Sequence, residues 1–277
     1  MSNIVKVAVL QSRPLKNVEA NLNQIQSLLI EASRQQVSLV VLPENFAYYG
    51  HQDLQSIGCQ EAKDSGPVRQ FLSDQAKRLK LWIVGGTLPV GNQQTKPVAR
   101  SLVYDPSGHC VDHYDKIHLF DADVQSESTQ QAYRESDYYS YGSRVKTVDT
   151  DLCRLGLSVC YDLRFAALYH QLRSAGSQIV TVPAAFTAIT GRDHWQLLLK
   201  ARAIENQFFV MGANLVDREN SSRGLWGGSA IIDPWGTVIG QIDDEVGIAT
   251  ANVNLSMMDD IRARMPVQHH ARLLFEN

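Results

Sequence analysis

The sequence lacks most of the features that mark a specialised environment. No apolar run reaches the length of a membrane span, and the opening stretch MSNIVKVAVLQSR is too short, and lacks the small-residue cleavage pattern, for an export signal. Cysteine is sparse. Cys59, Cys110, Cys153 and Cys160 are scattered without CxxC spacing, which fits reduced thiols of a cytoplasmic protein rather than a disulfide framework. An excess of one charge is missing too: 26 Lys and Arg against 29 Asp and Glu leave a formal net charge of −3, so nothing draws the chain to nucleic acid or an anionic membrane. Short repeats, low-complexity tracts and linkers are also absent. What remains is an ordinary globular composition, 44% apolar and 20% charged, and the expectation is a single domain over residues 1–277.

Periodicity supplies the elements. IVKVAVLQ from Ile4 reads as a buried strand, and Asn17 stands as N-cap to a helix with Leu22, Ile25, Leu28, Leu29 and Ala32 at helical spacing. SLVVLPENF is a second buried strand ending at Pro43. Strand, helix and strand in succession form a right-handed βαβ unit, whose ligand site lies beyond the carboxyl ends of its strands. Residues 47–65 read as a loop in which Tyr48, Tyr49 and His51 either line a pocket or cover the core. Gly66 and Pro67 open another helix, and LWIVGGTLPV is a strand broken by Gly85 and Gly86. A hairpin around the PSG turn follows, its second strand ending at Asp115, Lys116, Ile117 and His118.

Residues 121–142, polar and rich in Ser, Gln and Tyr, read as a working loop over the site or a disordered insertion. Beyond them lie the strand QIVTVPAAF, a helix from about Gly191 to Asn206, the strand NQFFVMGANL, a hairpin around DPWG, the strand GIATANVNL and a short helix from about Leu255 to Arg264. One pattern is used twice, β and α elements alternating before a hairpin. Two such halves pack sheet on sheet with helices outside, a four-layer α-β-β-α sandwich of the α/β class.

The stretch LSVCYDLRF organises the reading. An apolar run from Leu155 to Val159 leads into Cys160, and a helix-like pattern begins near Leu163, which places the thiol on a sharp strand-to-helix turn. The free N–H groups of a helix start lower the cost of negative charge on a thiolate or a nearby oxyanion. A small buried hydrophobe is the plain alternative for a lone cysteine. Glu44 in LPENF and Lys116 in YDKIHLFD also follow apolar strands, where α/β folds place catalytic groups. Taken singly, a helix cap and a surface ion pair account for them equally well.

In combination and in this order, Glu44, Lys116 and Cys160 with their flanking residues resemble the nitrilase superfamily of carbon–nitrogen hydrolases. The resemblance runs from KVAVLQ to MPVQHHAR and takes in VPAAFTAITGRDHWQLLLKARAIENQFFV and GGSAIIDPWGTV. It implies the same four layers, with Glu44 as general base, Lys116 as electrostatic stabiliser and Cys160 as nucleophile. Glu135 in YRES falls where the family has a second glutamate, and the backbone N–H of Tyr161 falls where it has an oxyanion donor. No metal or organic cofactor enters that chemistry, and a homodimer built through helices flanking the nucleophile, or a larger homo-oligomer, is implied. The segments AFTAITGRDHW, ARAIENQ and DPWGTV resemble the deaminated-glutathione amidases, while LWIVGGTLPV and KIHLFDADV also resemble the ω-amidases. A small amide of an α-keto acid is the substrate this implies. A catalytically idle scaffold homologue is the rival, and intact Glu44, Lys116 and Cys160 argue against it.

Other residues carry two readings each. Arg164, Arg202 and Glu205 could bind a substrate carboxylate or pair within the core. Tyr48, Phe186, Thr187 and Thr190 are placed to line a substrate pocket or to pack. His118, His194, His269 and His270 do not stand at ligand spacing and read as structural.

Overall fold

The computed structural model describes residues 4–50, 53–125, 130–218 and 224–272. The first half runs β1 (Ile4–Gln11), α1 (Val18–Arg34), β2 (Leu39–Val41), α2 (Leu54–Glu61), α3 (Pro67–Leu79), β3 (Trp82–Val84), β4 (Leu88–Val90), β5 (Val98–Tyr104) and β6 (Cys110–Asp115). A two-stranded ribbon, β7 (Asp121–Gln125) and β8 (Gln130–Arg134), and a 3₁₀ turn at Glu135–Asp137 separate it from the second half. That half contains β9 (Thr147–Asp149), β10 (Arg154–Leu157), a 3₁₀ turn at Cys160–Arg164, α4 (Ala166–Ser174), β11 (Ile179–Ala184), α5 (Ala188–Thr190), a π turn at Gly191–Trp195 and α6 (Gln196–Asn206). It continues with β12 (Phe209–Asn214), β13 (Val216–Asp217), β14 (Leu225–Trp226), β15 (Ala230–Ile232), β16 (Val238–Gln241), β17 (Gly247–Asn254), α7 (Ser256–Arg264) and α8 (Val267–His270).

Two large sheets result. One has the order β17-β1-β2-β3-β5-β4 with β6 on the other side of β5, and the other has β16-β15-β12-β11-β10-β9. Alternation along the first sheet divides its side chains between two cores. Val7, Val9, Leu39, Val41 and Val84 face the second sheet, whereas Ala8, Leu10, Val40, Leu42 and Ile83 face α1 and α3. Because the side-chain period is two, a slip of one residue would exchange these faces. The helices meet the sheet with their apolar stripes: Ile25, Leu28, Leu29 and Ala32 from α1, and Val68, Leu72 and Ala76 from α3. On the second sheet Val180 and Val182 share one continuous core cluster with Leu168, Tyr169 and Leu172 of α4 and Leu199 and Ala203 of α6. Helix, sheet, sheet and helix are thus the four layers expected from the alternation.

The halves are not independent. β17 leaves the second half and pairs antiparallel with β1 along its whole length, Ile4 opposite Asn254 through Gln11 opposite Gly247. Other departures from the sequence reading have a common cause. Residues 47–65 contain α2, capped by the Asp53 carboxylate accepting from Ser56 N–H, and residues 121–142 contain the β7–β8 ribbon and a 3₁₀ turn. The helix is short and the ribbon is polar, so neither shows the apolar periodicity that marks an element packed on a core.

Candidate active site

The first sheet delivers the acid and the ammonium. β2 leads through Leu42, which donates to the Val84 carbonyl, to Pro43 and Glu44. The turn that follows is seated on Gly86, which has φ +55°, and a Cβ there would overlap the Pro43 carbonyl oxygen. Thr87 Oγ1 accepts from Asn45 N–H at 2.9 Å and secures the same turn. β6 runs antiparallel to β5, as β5 does to β3, so its carboxyl end lies on the same side as that of β2. Lys116 follows β6 directly and is only 1% exposed.

The second sheet delivers the thiol. β10 ends at Leu157, and Cys160 opens a 3₁₀ turn with φ +47°, a backbone region that costs a β-carbon-bearing residue roughly 1–3 kcal/mol. Such strain persists only where the surroundings hold it. The restraint comes from Asp162, a fully buried carboxylate that accepts from Val159 N–H at 2.9 Å and Tyr114 OH at 2.7 Å. It also accepts from His118 N–H at 3.0 Å and, at 2.7 Å, from His118 Nδ1, which must carry the proton to face an acceptor-only carboxylate. Tyr114 and His118 stand two residues either side of Lys116, so one carboxylate ties the thiol turn to the ammonium segment. His118 is locked further by stacking on Phe165, 3.7 Å between centroids and 7° between planes. The sequence reading missed Asp162 in this role. Its signal is a carboxylate two residues beyond Cys160, which cannot be told from an ordinary cap without knowing what faces it.

Lys116 Nζ lies 2.8 Å from Glu44 Oε1 and 2.9 and 2.8 Å from the two Glu135 oxygens. The second Glu44 oxygen accepts from Ala185 N–H at 2.9 Å, and Glu135 Oε2 accepts from Phe120 N–H at 2.6 Å. Cys160 stands beside Glu44, Lys116 and Ala185 on the wall of one cavity. The structure therefore gathers Glu44, Lys116, Glu135 and Cys160 in one place, and Lys116 is a buried ammonium between two carboxylates rather than a surface ion pair.

The electrostatics follow from that count. Burial opposes the ammonium, but the Glu135 and Glu44 carboxylates prevail and hold Lys116 well above the usual lysine range. Burial pushes the Glu135 carboxyl above its ordinary value, with Lys116 opposing. Burial first and Glu44 second push the Cys160 thiol well above the ordinary cysteine value. Burial and Glu44 together outweigh what the N–H groups of the turn offer a thiolate. Tyr161, in the first turn of the 3₁₀ segment, carries one of the N–H groups that have no intrahelical partner.

The site opens on a cavity of about 370 Å³ lined by Glu44, Lys116, Glu135, Cys160 and Thr187, with Tyr49, Tyr133 and Tyr138 among its other walls. A smaller pocket that also reaches Cys160 is lined by Phe120, Tyr161, Arg164, Phe186, Thr187 and Thr190. Thr187 and Thr190 share a hydroxyl contact of 2.8 Å. Arg164 has no ion pair with an acid among the described residues. Its guanidinium lies 5.8 Å from the Tyr161 ring centroid, 5.4 Å from that of Phe186, and 3.3 Å from His194 Nδ1. The pairing expected within the core belongs instead to Arg202, which binds Glu205 at 2.8 Å and the Leu163 carbonyl at 3.0 Å.

Tyr48 does not face the cavity. It is 5% exposed and donates at 2.6 Å to the buried Glu61, whose carboxylate also caps α3 by accepting from Val68 and Arg69 N–H. Tyr49, one residue on, takes the wall position because successive side chains in the turn diverge. His51 lies outside the described residues. His269 and His270 belong to the short α8, and among the described residues no group of three His, Cys, Asp or Glu could hold a metal ion.

Comparison with known proteins agrees with this geometry. The carbon-nitrogen hydrolase family matches residues 6–263. A protein named deaminated glutathione amidase from Yersinia enterocolitica is 37% identical over 270 residues, covering 97% of this chain and 93% of that protein. Omega-amidase NIT2 of Danio rerio is 34% identical, covering 96% and 94%. The crystal structure of Saccharomyces cerevisiae Nit3, a member of branch 10 of the nitrilase superfamily, superposes with a TM-score of 0.87 at 29% identity, covering 98% of this chain and 97% of that one. With its two sheets, its strand-end cluster and a match over nearly its whole length, the chain belongs to the carbon–nitrogen hydrolase family.

Proposed function

We propose that this hydrolase is a cysteine-dependent amidase cleaving a small linear amide of an α-keto acid, with deaminated glutathione as the first substrate and α-ketoglutaramate as the second. The observation that carries this reading is the ammonium of Lys116 held at 2.8 Å by both Glu44 and Glu135 beside a thiol that is protonated at rest. With one ammonium against two carboxylates, ionising the thiol without an acceptor would add a second uncompensated charge to a buried site. The proton therefore passes to Glu44 as sulfur attacks.

The bond changes balance. The Sγ–C bond forms and the carbonyl pair moves to oxygen, where Lys116 Nζ and Tyr161 N–H receive the oxyanion. The carbonyl re-forms, the C–N bond breaks, and Glu44 returns its proton to the departing amine. Water then gives a proton to Glu44 and attacks the thioester; the C–S bond breaks and the sulfur regains its proton from Glu44. Arg164, in the smaller pocket, is placed to meet the keto-acid carboxylate, with Thr187, Phe186 and Thr190 beside it. The names of the relatives support the substrate class.

In this reading residues 1–277 act as one domain in the cytoplasm and form a homodimer through α6 and the turn after β15, where Leu197, Ile204 and Trp235 are exposed apolar side chains. No helix among the described residues is long and apolar enough to cross a membrane.

The test is release of keto acid and amine from both compounds beside Cys160→Ala. Turnover by the native protein and none by the variant is the expected result. A folded native protein that hydrolyses neither compound would overturn the reading.

A further inference from the structure

The carboxylate of Glu44 is aimed by a backbone turn, and that turn has an anchor of its own. β11 ends at Ala184, whose carbonyl accepts from Leu215 N–H at 3.1 Å. Beyond it the N–H groups of Ala185 and Phe186 have left the sheet, and each needs another acceptor. Ala185 gives its proton to Glu44 Oε2, and Phe186 gives its proton to Asn214 Oδ1 at 2.9 Å. Asn214 ends β12 and is fully buried. Its Nδ2 donates to the Gly227 carbonyl at 2.7 Å, so only one orientation of the amide satisfies both neighbours. Asn214 N–H donates to Ser229 Oγ at 2.9 Å, and Ser229 Oγ donates to Gln11 Oε1 at 2.8 Å. Gln11 Nε2 in turn donates to the carbonyls of Asp243 and Glu245 at 3.0 and 2.8 Å. Gln11 and Ser229 are fully buried as well. A buried network with its members satisfied holds one geometry, because any other leaves a polar group unpaired.

We propose that Asn214 is a positioning residue: by holding Phe186 N–H it keeps Ala185 N–H on Glu44 and so directs that carboxylate toward Lys116 and Cys160. The assignment rests on the amidase reading above and deepens it. Ala185 and Phe186 are consecutive, so a rotation of the turn that freed Phe186 N–H would carry Ala185 N–H away from Glu44. With Oε2 held by Ala185, Glu44 presents Oε1 to Lys116 Nζ at 2.8 Å. The same turn places Phe186 and Thr187 in the wall of the smaller pocket, and the Phe186 carbonyl accepts from Trp226 N–H at 2.9 Å. Asn214 lines neither the cavity nor the smaller pocket, so it reaches the reaction only through the turn.

The test sets Asn214→Ala and Asn214→Asp beside the native protein, with deaminated glutathione and α-ketoglutaramate as substrates and kcat counted per folded molecule. Backbone amide exchange is followed residue by residue by NMR. Asn214→Ala should lower kcat by about 10- to 100-fold, since a base displaced by a fraction of an ångström loses rate. It should also speed exchange at Ala185 and Phe186 by about tenfold or more while Val182, inside β11, keeps its native rate. In Asn214→Asp a protonated carboxyl reproduces both bonds of the amide, its hydroxyl donating to Gly227 and its carbonyl accepting from Phe186. That variant should stay within about threefold of native kcat at the acid end of the pH profile. It should then lose activity as pH rises and the buried carboxyl ionises against the Gly227 carbonyl, a limb absent from the native profile. A side chain that merely stabilised the fold would produce neither that limb nor the selective exchange. Native kcat in folded Asn214→Ala would overturn the assignment, as would exchange at Ala185 that is unchanged or rises only in step with Val182. If Asn214→Ala does not fold, Asn214→Asp decides alone, and a ratio to native kcat that is flat with pH overturns it. Hydrolysis of neither compound by folded native protein would remove the amidase reading, while the exchange comparison would still decide whether Asn214 holds Ala185 on Glu44.

Discussion

The two walls of the cavity are built in opposite ways. On the chemical wall Glu44, Lys116 and Cys160 are 3%, 1% and 8% exposed and stand at the ends of strands in two packed sheets. On the outer wall Tyr138 is 59% exposed, and Arg134 lies on a two-stranded ribbon that pairs with neither large sheet. Chemistry demands atoms held to a fraction of an ångström, which close packing and buried hydrogen bonds supply. Recognition tolerates more, so it can sit on polar loops that change without cost to the core.

The largest effect that probes this contrast lies on the chemical wall. Lys116→Met should lower kcat by about 10³-fold or more, through loss of an oxyanion donor and release of two carboxylates that then repel. In the native protein, alkylation of Cys160 by iodoacetamide should keep rising with pH through 9, because the raised thiol pKa leaves little thiolate at neutrality. A plateau below pH 7 would mean that a standing thiolate exists and that the charge count given for the cluster is wrong.

A smaller effect separates positioning from chemistry. His118→Phe keeps a ring to stack on Phe165 but removes the Nδ1–H bond to Asp162. It should lower kcat by roughly 10- to 100-fold with KM nearly unchanged, since reacting groups displaced by a fraction of an ångström lose rate before they lose binding. His118→Asn, whose side-chain amide can reach the same carboxylate, should recover most of that loss. If both variants match native kcat, Asp162 fastens the fold without aligning Lys116 and Cys160.

The smallest effect should leave the chemistry untouched. Tyr48→Phe removes the hydroxyl that donates to buried Glu61, and thermal or denaturant unfolding should show a loss of about 1–2 kcal/mol. The activity of the folded enzyme should stay within twofold of native. A large fall in kcat would place Tyr48 in the site after all.

Much of the chemical wall was legible in one dimension. Apolar runs before Glu44, Lys116 and Cys160 marked strand ends, and alternation of elements marked a doubled α/β pattern that packs sheet on sheet. Local signals of this kind survive because core-facing strands and helices must repeat at fixed periods. Asn17 and Gly66–Pro67 began their helices for similarly local reasons, a side-chain cap and a preset φ. The outer wall left no such trace. The ribbon sequences DADVQ and QQAYR are too polar to declare an apolar face, and α2 spans only 8 residues.

The sequence by itself determined the layers, the strand ends and the identities of the four groups that meet there, because backbone period and residue chemistry are carried locally. Tertiary structure alone decided the direction each side chain takes. Tyr48 turns to Glu61 while Tyr49 meets the cavity, Arg164 rests on the Phe186 face, and Asp162 reaches across from one half to fasten the other. Those outcomes depend on partners as far as 48 residues away, and no local pattern encodes a contact between segments that only folding brings together.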